Sequence, residues 1–294
     1  LSAHALDEIK PFRHQAQLLG LPFKRPDISQ FFLCGGYGCA KTTALSLLTM
    51  KLISLYWKQP VVGAISAPTI TFLEKTLLAD IRKRLDLSNS VYRYDGGNNV
   101  LHIGAMEIRM IPGEQPGKNF GHNLSFFLGD EHDELSQDKA IDLSHSADER
   151  LRIDFPDGRQ PLKVLASTSQ GLRGLYRLFE EAKEQYAEDN TQKYALIRGR
   201  TRDNTSFKPS YLKRLEANYT EEEQRAYLDG EFVNLTTGRV YYDYDEEKHY
   251  KDVLPPQPNE TVYVGQDLNE GYSKATACVV RNRKLEIVAE FSFK

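Results

Sequence analysis

Four apolar residues, Phe31 to Cys34, run straight into Gly35-Gly36-Tyr37-Gly38-Cys39-Ala40-Lys41-Thr42-Thr43, and a segment of good helical character follows. A strand, a glycine-rich loop and a helix in that order leave few folds open, and they are the parts of a P-loop. Glycines let the backbone curl so that successive N–H groups, and the N-terminus of the next helix, point at phosphate oxygens. Lys41 supplies a mobile positive charge for β and γ phosphates, and the Thr42 hydroxyl suits Mg²⁺. The reading is an ATP site formed by Gly35, Gly36, Gly38, Ala40, Lys41, Thr42 and Thr43. Ala40 stands where such loops carry glycine, and the loop tolerates its methyl group if residue 40 has negative φ. The bland alternative is a glycine-rich turn before a helix, with Lys41 exposed.

A second site answers the first. Ser125-Phe126-Phe127-Leu128-Gly129 reads as a buried strand, and it ends in Asp130-Glu131. In a Walker B arrangement Asp130 holds Mg²⁺ through water, while Glu131 orients and deprotonates the attacking water. Taken alone, Asp130, Glu131, Asp133 and Glu134 are equally an acidic, solvated start to a helix. Lys41, Asp130 and Glu131 form the candidate catalytic set. Strand Leu162–Ala166 ends in Ser167-Thr168-Ser169, hydroxyls at the edge where open α/β sheets bind ligands. Ser167 and Thr168 sense a γ-phosphate on one reading and cap the next helix on the other. Upstream, the Gln15 amide reads an adenine edge or caps a surface helix.

From residue 31 short apolar runs alternate with helical spacing, which predicts an α/β chain with a mostly parallel sheet covered by helices; together with the glycine loop and the acid pair, the expected fold is a P-loop NTPase of ASCE type. Strands are expected at Phe31–Cys34, Val61–Ser66, Ser125–Gly129, Leu162–Ser167 and Tyr194–Gly199, and a hairpin of Val91–Tyr94 with Val100–Ile111 turning at Asp95-Gly96-Gly97. Helices are expected at Lys41–Lys58, Thr71–Leu85, Asp138–Arg152 and Leu172–Asp189. After residue 205 a small helical lid or linker, 206–258, runs from about Tyr211 to Gly230 and through Pro255-Pro256-Gln257-Pro258. Three strand-like runs follow, Thr261–Val264, Ala275–Arg281 and Leu285–Phe293. Roughly 35 residues cannot bury a core of their own, so 259–294 reads as the opening of a larger domain.

The charge balance of −3 gives no overall basic character, so a nucleic-acid partner has to be held by a local patch such as Arg82-Lys83-Arg84, unless that run is only a solvated face. Three cysteines without a CxxC pair fit neither a disulfide framework nor a zinc ribbon. No apolar run approaches membrane-spanning length, and the first residues lack the pattern of a secretion signal, so a cytoplasmic chain without a membrane partner is expected.

With these residues set out, the sequence resembles the large terminase subunit of tailed bacteriophages. The ordered series is Gln15, the loop Gly35–Thr43, Asp130-Glu131, Ser167-Thr168-Ser169, Arg202-Asp203-Asn204, Tyr227-Leu228-Asp229-Gly230-Glu231-Phe232, Gly238-Arg239-Val240-Tyr241-Tyr242 and Gly265-Gln266-Asp267. The resemblance implies an ATP-driven, Mg²⁺-dependent motor that moves double-stranded viral DNA into a procapsid. Its implied partners are the portal protein, the terminase small subunit and further copies in a ring, in the host cell cytoplasm and transiently on the procapsid. It also implies a ribonuclease-H-like endonuclease domain after Pro258, with Asp267 as its first metal carboxylate and further acids beyond Lys294. Many relatives carry arginine at the positions of Tyr37 and Phe120, so the arginine finger is unassigned; Lys118, Arg150 and Arg152 are candidates across a subunit boundary. Competing readings are a superfamily 2 helicase-like translocase, on Asp130-Glu131-His132-Asp133, and a nucleotide-binding assembly subunit that does not hydrolyse.

Overall fold

The computed structural model describes residues 10–115, 121–187, 192–235, 253–268, 273–282 and 284–293. Contacts divide the chain into two compact units, Leu1–Thr236 and Thr237–Lys294.

The first unit is built on β1 (Gln30–Gly35), β2 (Val62–Ala67), β3 (Arg93–Asp95), β4 (Val100–Ile103), β5 (Met106–Pro112), β6 (Phe126–Gly129), β7 (Leu162–Ser167) and β8 (Tyr194–Gly199). These strands form one sheet in the order β3-β4-β5-β2-β6-β7-β1-β8. From β5 to β8 every pairing is parallel, and β3, β4 and β5 are antiparallel. Alternate residues of the central strands feed two cores, as the period of two requires. Phe31, Leu33, Phe126, Leu128, Val164 and Ala166 pack on one face. Phe32, Cys34, Phe127 and Leu165 pack on the other.

Helices α1 (Arg13–Lys24), α2 (Lys41–Tyr56), α3 (Ile70–Lys75) and α4 (Leu77–Leu87) supply Leu18, Leu45, Leu48, Leu73 and Ile81 to the first core. Helices α5 (Gln137–Asp148) and α6 (Gly174–Ala187) supply Leu143, Ala147, Leu175 and Leu178 to the second. Two short helices, α7 (Pro209–Asn218) and α8 (Glu221–Tyr227), complete this unit.

Two expected elements divide. The helix expected at Thr71–Leu85 breaks at Thr76, whose hydroxyl donates to Phe72 O at 2.7 Å and diverts the chain from the helical ladder. The expected strand Val100–Ile111 folds back between Ile103 and Met106, where Gly104 takes φ +60° and Ala105 N donates to Trp57 O at 2.8 Å.

In the second unit β9 (Tyr263–Leu268), β10 (Ser273–Arg281) and β11 (Lys284–Phe293) form an antiparallel sheet in the order β11-β10-β9. Arg281 fastens the preceding segment to it by donating to Leu254 O, Pro255 O and the carboxylates of Glu260 and Glu286. No helix among the described residues is long and apolar enough to cross a membrane.

Candidate active site

Because β7 lies between β1 and β6, the C-terminal edge of the sheet presents the glycine loop, then Ser167-Thr168, then Asp130-Glu131. Lys41 begins α2 and is only 4% exposed. Its Nζ donates to Thr168 Oγ1 at 2.7 Å and to the carbonyls of Gly35 at 3.1 Å and Gly36 at 3.4 Å. The next residue, Thr42, donates its hydroxyl to Asp130 Oδ2 at 2.7 Å. Two successive residues of one helix thus reach the ends of two different strands. The amides of Lys41, Thr42 and Thr43 lie in the first turn of α2, where no intrahelical acceptor exists, and an anion is favoured there.

Ala40 adopts φ +69° and ψ 45°, the left-handed region, so the loop carries its methyl group without the negative φ that would make it strain-free. The loop has to reverse into α2 at this point, and its carbonyl is held there by Gln15 Nε2 at 3.2 Å and Ala44 N at 3.1 Å. For alanine this conformation costs about 1–2 kcal/mol.

Asp130 is 2% exposed, and burial, reinforced by the neighbouring Glu131 carboxylate, pushes its pKa up to about 7. Glu131 also takes a left-handed backbone, φ +48°, and its amide donates to Asp130 Oδ1 at 3.1 Å. Such backbone strain gathers at sites where side-chain direction matters. The two oxygens that meet here, a hydroxyl and a carboxylate, are the hard donors that Mg²⁺ takes, so the residues fit that ion. Among the described residues no group of three or more His, Cys, Asp or Glu is placed to hold a metal by itself.

Two expected contacts turn inward. The Gln15 side chain, read as meeting an adenine edge or capping a helix, accepts from Phe12 N at 2.9 Å at the start of α1 and donates to Ala40 O, so its amide caps that helix and supports the loop. Ser167 Oγ accepts from Asp133 N at 2.9 Å and is 1% exposed. Asp133 is a tie between loops: its carboxylate accepts from Leu175 N at 2.7 Å and Gln170 N at 3.4 Å. Burial pushes its pKa up to about 6. His14 lies fully buried beside Gly199, and burial keeps its pKa low.

Arg150 and Arg152 stand at the far end of β6. Arg150 O accepts from Leu124 N, and Arg152 N donates to Leu124 O, two residues before the strand begins. At about 3.3 Å per residue they lie roughly 20 Å from Asp130, out of reach within one chain. Arg84 is committed to Asp80 and Ser46, and Arg82 lies over the Tyr94 ring, so two members of the basic run are occupied within the fold. Lys118 and the side chain of Asp267 lie outside the described residues; the Asp267 backbone belongs to β9.

Residues after β8 complete the loop, and the sequence singled out their segments without giving them a role. Gly36 N donates to Gly199 O at 2.9 Å, and Tyr37 N donates to Tyr227 O at 2.7 Å. Thr201 Oγ1 donates to Tyr37 O at 2.9 Å, and Asn204 Nδ2 donates to Gly38 O at 2.8 Å. The packing explains the glycines: a Cβ on Gly36 would lie 2.4 Å from Leu228 O and from Thr201 Oγ1, and Gly38 combines φ +69° with a Phe207 ring 2.6 Å from any added Cβ. The Tyr37 ring lies tilted against that of Tyr227, with ring centroids 5.4 Å apart.

The family model described as "Terminase large subunit, T4likevirus-type, N-terminal" matches residues 23–248. Among solved structures, the large terminase of a thermophilic bacteriophage superimposes with a TM-score of 0.63 at 17% identity, covering 97% of this chain and 69% of that one. The same phage protein in complex with ATP-gamma-S gives a TM-score of 0.61 at 17% identity, covering 96% and 68%. The HK97 bacteriophage large terminase gives 0.53 at 13% identity, covering 90% and 58%. No curated protein matches the sequence. At these identities the solved structures establish a shared fold, and the family match carries the assignment. The chain belongs to the phage terminase large subunit family and contains its nucleotide-hydrolysing ATPase domain.

Proposed function

We propose that the first unit hydrolyses ATP with Mg²⁺ and drives double-stranded viral DNA into a procapsid. The observation that carries this reading is the 2.7 Å contact between Thr42 Oγ1 and Asp130 Oδ2, which joins the phosphate loop to the acid pair. Thr42 and Asp130 would hold the Mg²⁺, which supplies charge neutralisation on the phosphates when bound. Lys41, with its carbon stem buried and its amine on Thr168, binds the triphosphate by moving that amine from one oxygen acceptor to another. Glu131, on a strained turn one residue past Asp130, takes the proton of the attacking water. Ser167 and Thr168 stand between lysine and acids, where Thr168 meets the γ-phosphate and Ser167 keeps the acidic loop in register.

DNA, the portal protein, the small subunit and neighbouring copies in a ring are the partners this activity requires, and an arginine or lysine from a neighbouring copy completes the charge at the phosphates. Arg150, Arg152 and Lys118 are its candidates. Asp267, near the end of β9, is proposed as the first metal carboxylate of a ribonuclease-H-like endonuclease.

The test is ATP hydrolysis with Mg²⁺, with and without procapsid, for the wild type and Glu131→Ala. The variant should bind nucleotide normally and lose turnover by about 10²–10⁴-fold, the usual worth of a general base. Unchanged turnover removes Glu131 from the chemistry.

A further inference from the structure

A phosphate loop works only if its carbonyls point away from the ligand, because each trans peptide aims its C=O and the next N–H in opposite directions. Glycines make the required curl possible and leave other curls equally open. Something outside the loop must therefore select one. Within the crown, Cys39 N donates to Gly36 O at 3.2 Å, a turn that leaves the carbonyls of Tyr37 and Gly38 on its outer side. Both are held by side chains of one short segment, Tyr37 O by the Thr201 hydroxyl at 2.9 Å and Gly38 O by the Asn204 amide at 2.8 Å. Holding Tyr37 O on the Thr201 side directs the Gly38 N–H to the opposite side.

The two holders are themselves fixed. Thr201 is 1% exposed and its N donates to Leu228 O at 2.7 Å. Asn204 Oδ1 accepts from Ser206 N at 3.0 Å, which sets the amide orientation so that its nitrogen faces Gly38. Neither side chain lies on a strand or long helix whose packing would otherwise explain it.

We propose that Thr201 and Asn204 are positioning residues for nucleotide binding: they hold the carbonyls of Tyr37 and Gly38 so that the loop keeps one curl, with the Gly38 N–H on the side opposite Thr201, before ATP arrives. This rests on the ATP site proposed above. A loop released from them samples other curls, and apparent affinity falls by the fraction of time spent in the competent one. Once phosphates are bound they order the loop themselves, so the chemical step is little changed.

The test is calorimetric binding of Mg-ADP to the full chain for the wild type, Thr201→Val, Thr201→Ser, Asn204→Ala and Lys41→Ala, with thermal unfolding followed in parallel. Thr201→Val and Asn204→Ala should each raise Kd about fivefold, as loss of one neutral hydrogen bond implies. In hydrolysis they should raise KM and leave kcat within twofold. Thr201→Ser, which keeps the hydroxyl, should stay within twofold in Kd. If Thr201→Val fails to fold, the half-buried Asn204→Ala decides. A Kd within twofold of wild type in every folded variant of the Val and Ala pair overturns the proposal, as does an equal loss in Thr201→Ser. If the wild type does not bind Mg-ADP, or Lys41→Ala binds as well as it does, the nucleotide-site reading itself fails and this proposal with it.

Discussion

The amine of Lys41 sits 2.7 Å from the hydroxyl of Thr168, joining the phosphate loop to the strand that separates it from the acid pair. Thr168→Val keeps the volume and removes the acceptor. ADP has no third phosphate to meet this hydroxyl, so its affinity should stay within about threefold. The kcat for ATP should fall about 10–100-fold, the pattern of an interaction made chiefly in the transition state. Stopped-flow phosphate release beside ADP titration checks it, and an equal loss in both would assign Thr168 to simple binding.

Thr42 donates to Asp130 at 2.7 Å, two hydroxyl and carboxylate oxygens that suit one small cation. Thr42→Val should raise the Mg²⁺ concentration for half-maximal hydrolysis by about tenfold, the size of one lost oxygen ligand or charge-assisted hydrogen bond. Titration of activity with MgCl₂ measures this directly. An unaltered midpoint would remove Thr42 from the cation site.

Ala40 at φ +69° carries a strain that glycine lacks. Ala40→Gly relieves about 1–2 kcal/mol and gives back about 0.5–1 kcal/mol in unfolded-chain entropy. The net gain should lift Tm by about 2 °C for a unit of this size, with hydrolysis retained. A fall in Tm on calorimetry would mean that the methyl group packs well enough to outweigh the strain.

Asp133 has its pKa pushed up to about 6 by burial, above the ordinary 3.8. The folded state therefore holds this proton more tightly than the unfolded chain. The stability that results is fully present below about pH 3.8 and is lost as pH rises through about 6. Asp133→Asn keeps an oxygen for Leu175 N and removes the titration. Its unfolding free energy relative to wild type should rise between pH 4 and 7.5, by at most about 3 kcal/mol. Denaturant unfolding across that range is the measurement, and a flat difference would mean that the backbone amides fully stabilise the carboxylate.

Much of this site is visible in sequence because short-range chemistry dictates it. The run Phe31–Cys34 before the glycines and the run Ser125–Gly129 before Asp130 are buried strands that end in glycines and acids rather than in further apolar residues. The lateral order of strands is not visible, since β7 enters between β1 and β6 through pairings such as Phe32 with Leu165 and Leu128 with Val164, far apart in the chain. Polar residues in a single 3-10 turn and the loop after it have no periodicity to betray them, which is why Thr201 and Asn204 carried no expected role. The same blindness leaves Gln15 open in sequence between base recognition and helix capping, whereas in the fold its amide is engaged with Phe12 and Ala40. Asp133 looked like one more solvated acid because its partners, Leu175 N and Gln170 N, come from the far side of β7.

At residue 40 the backbone keeps the shape that glycine adopts freely, while the side chain has changed. Alanine and glycine codons differ by a single base, so either spelling is within one mutational step of the other. A consensus that insists on glycine before the lysine would pass over this protein, although the curve its main chain traces is the one that the consensus was meant to capture.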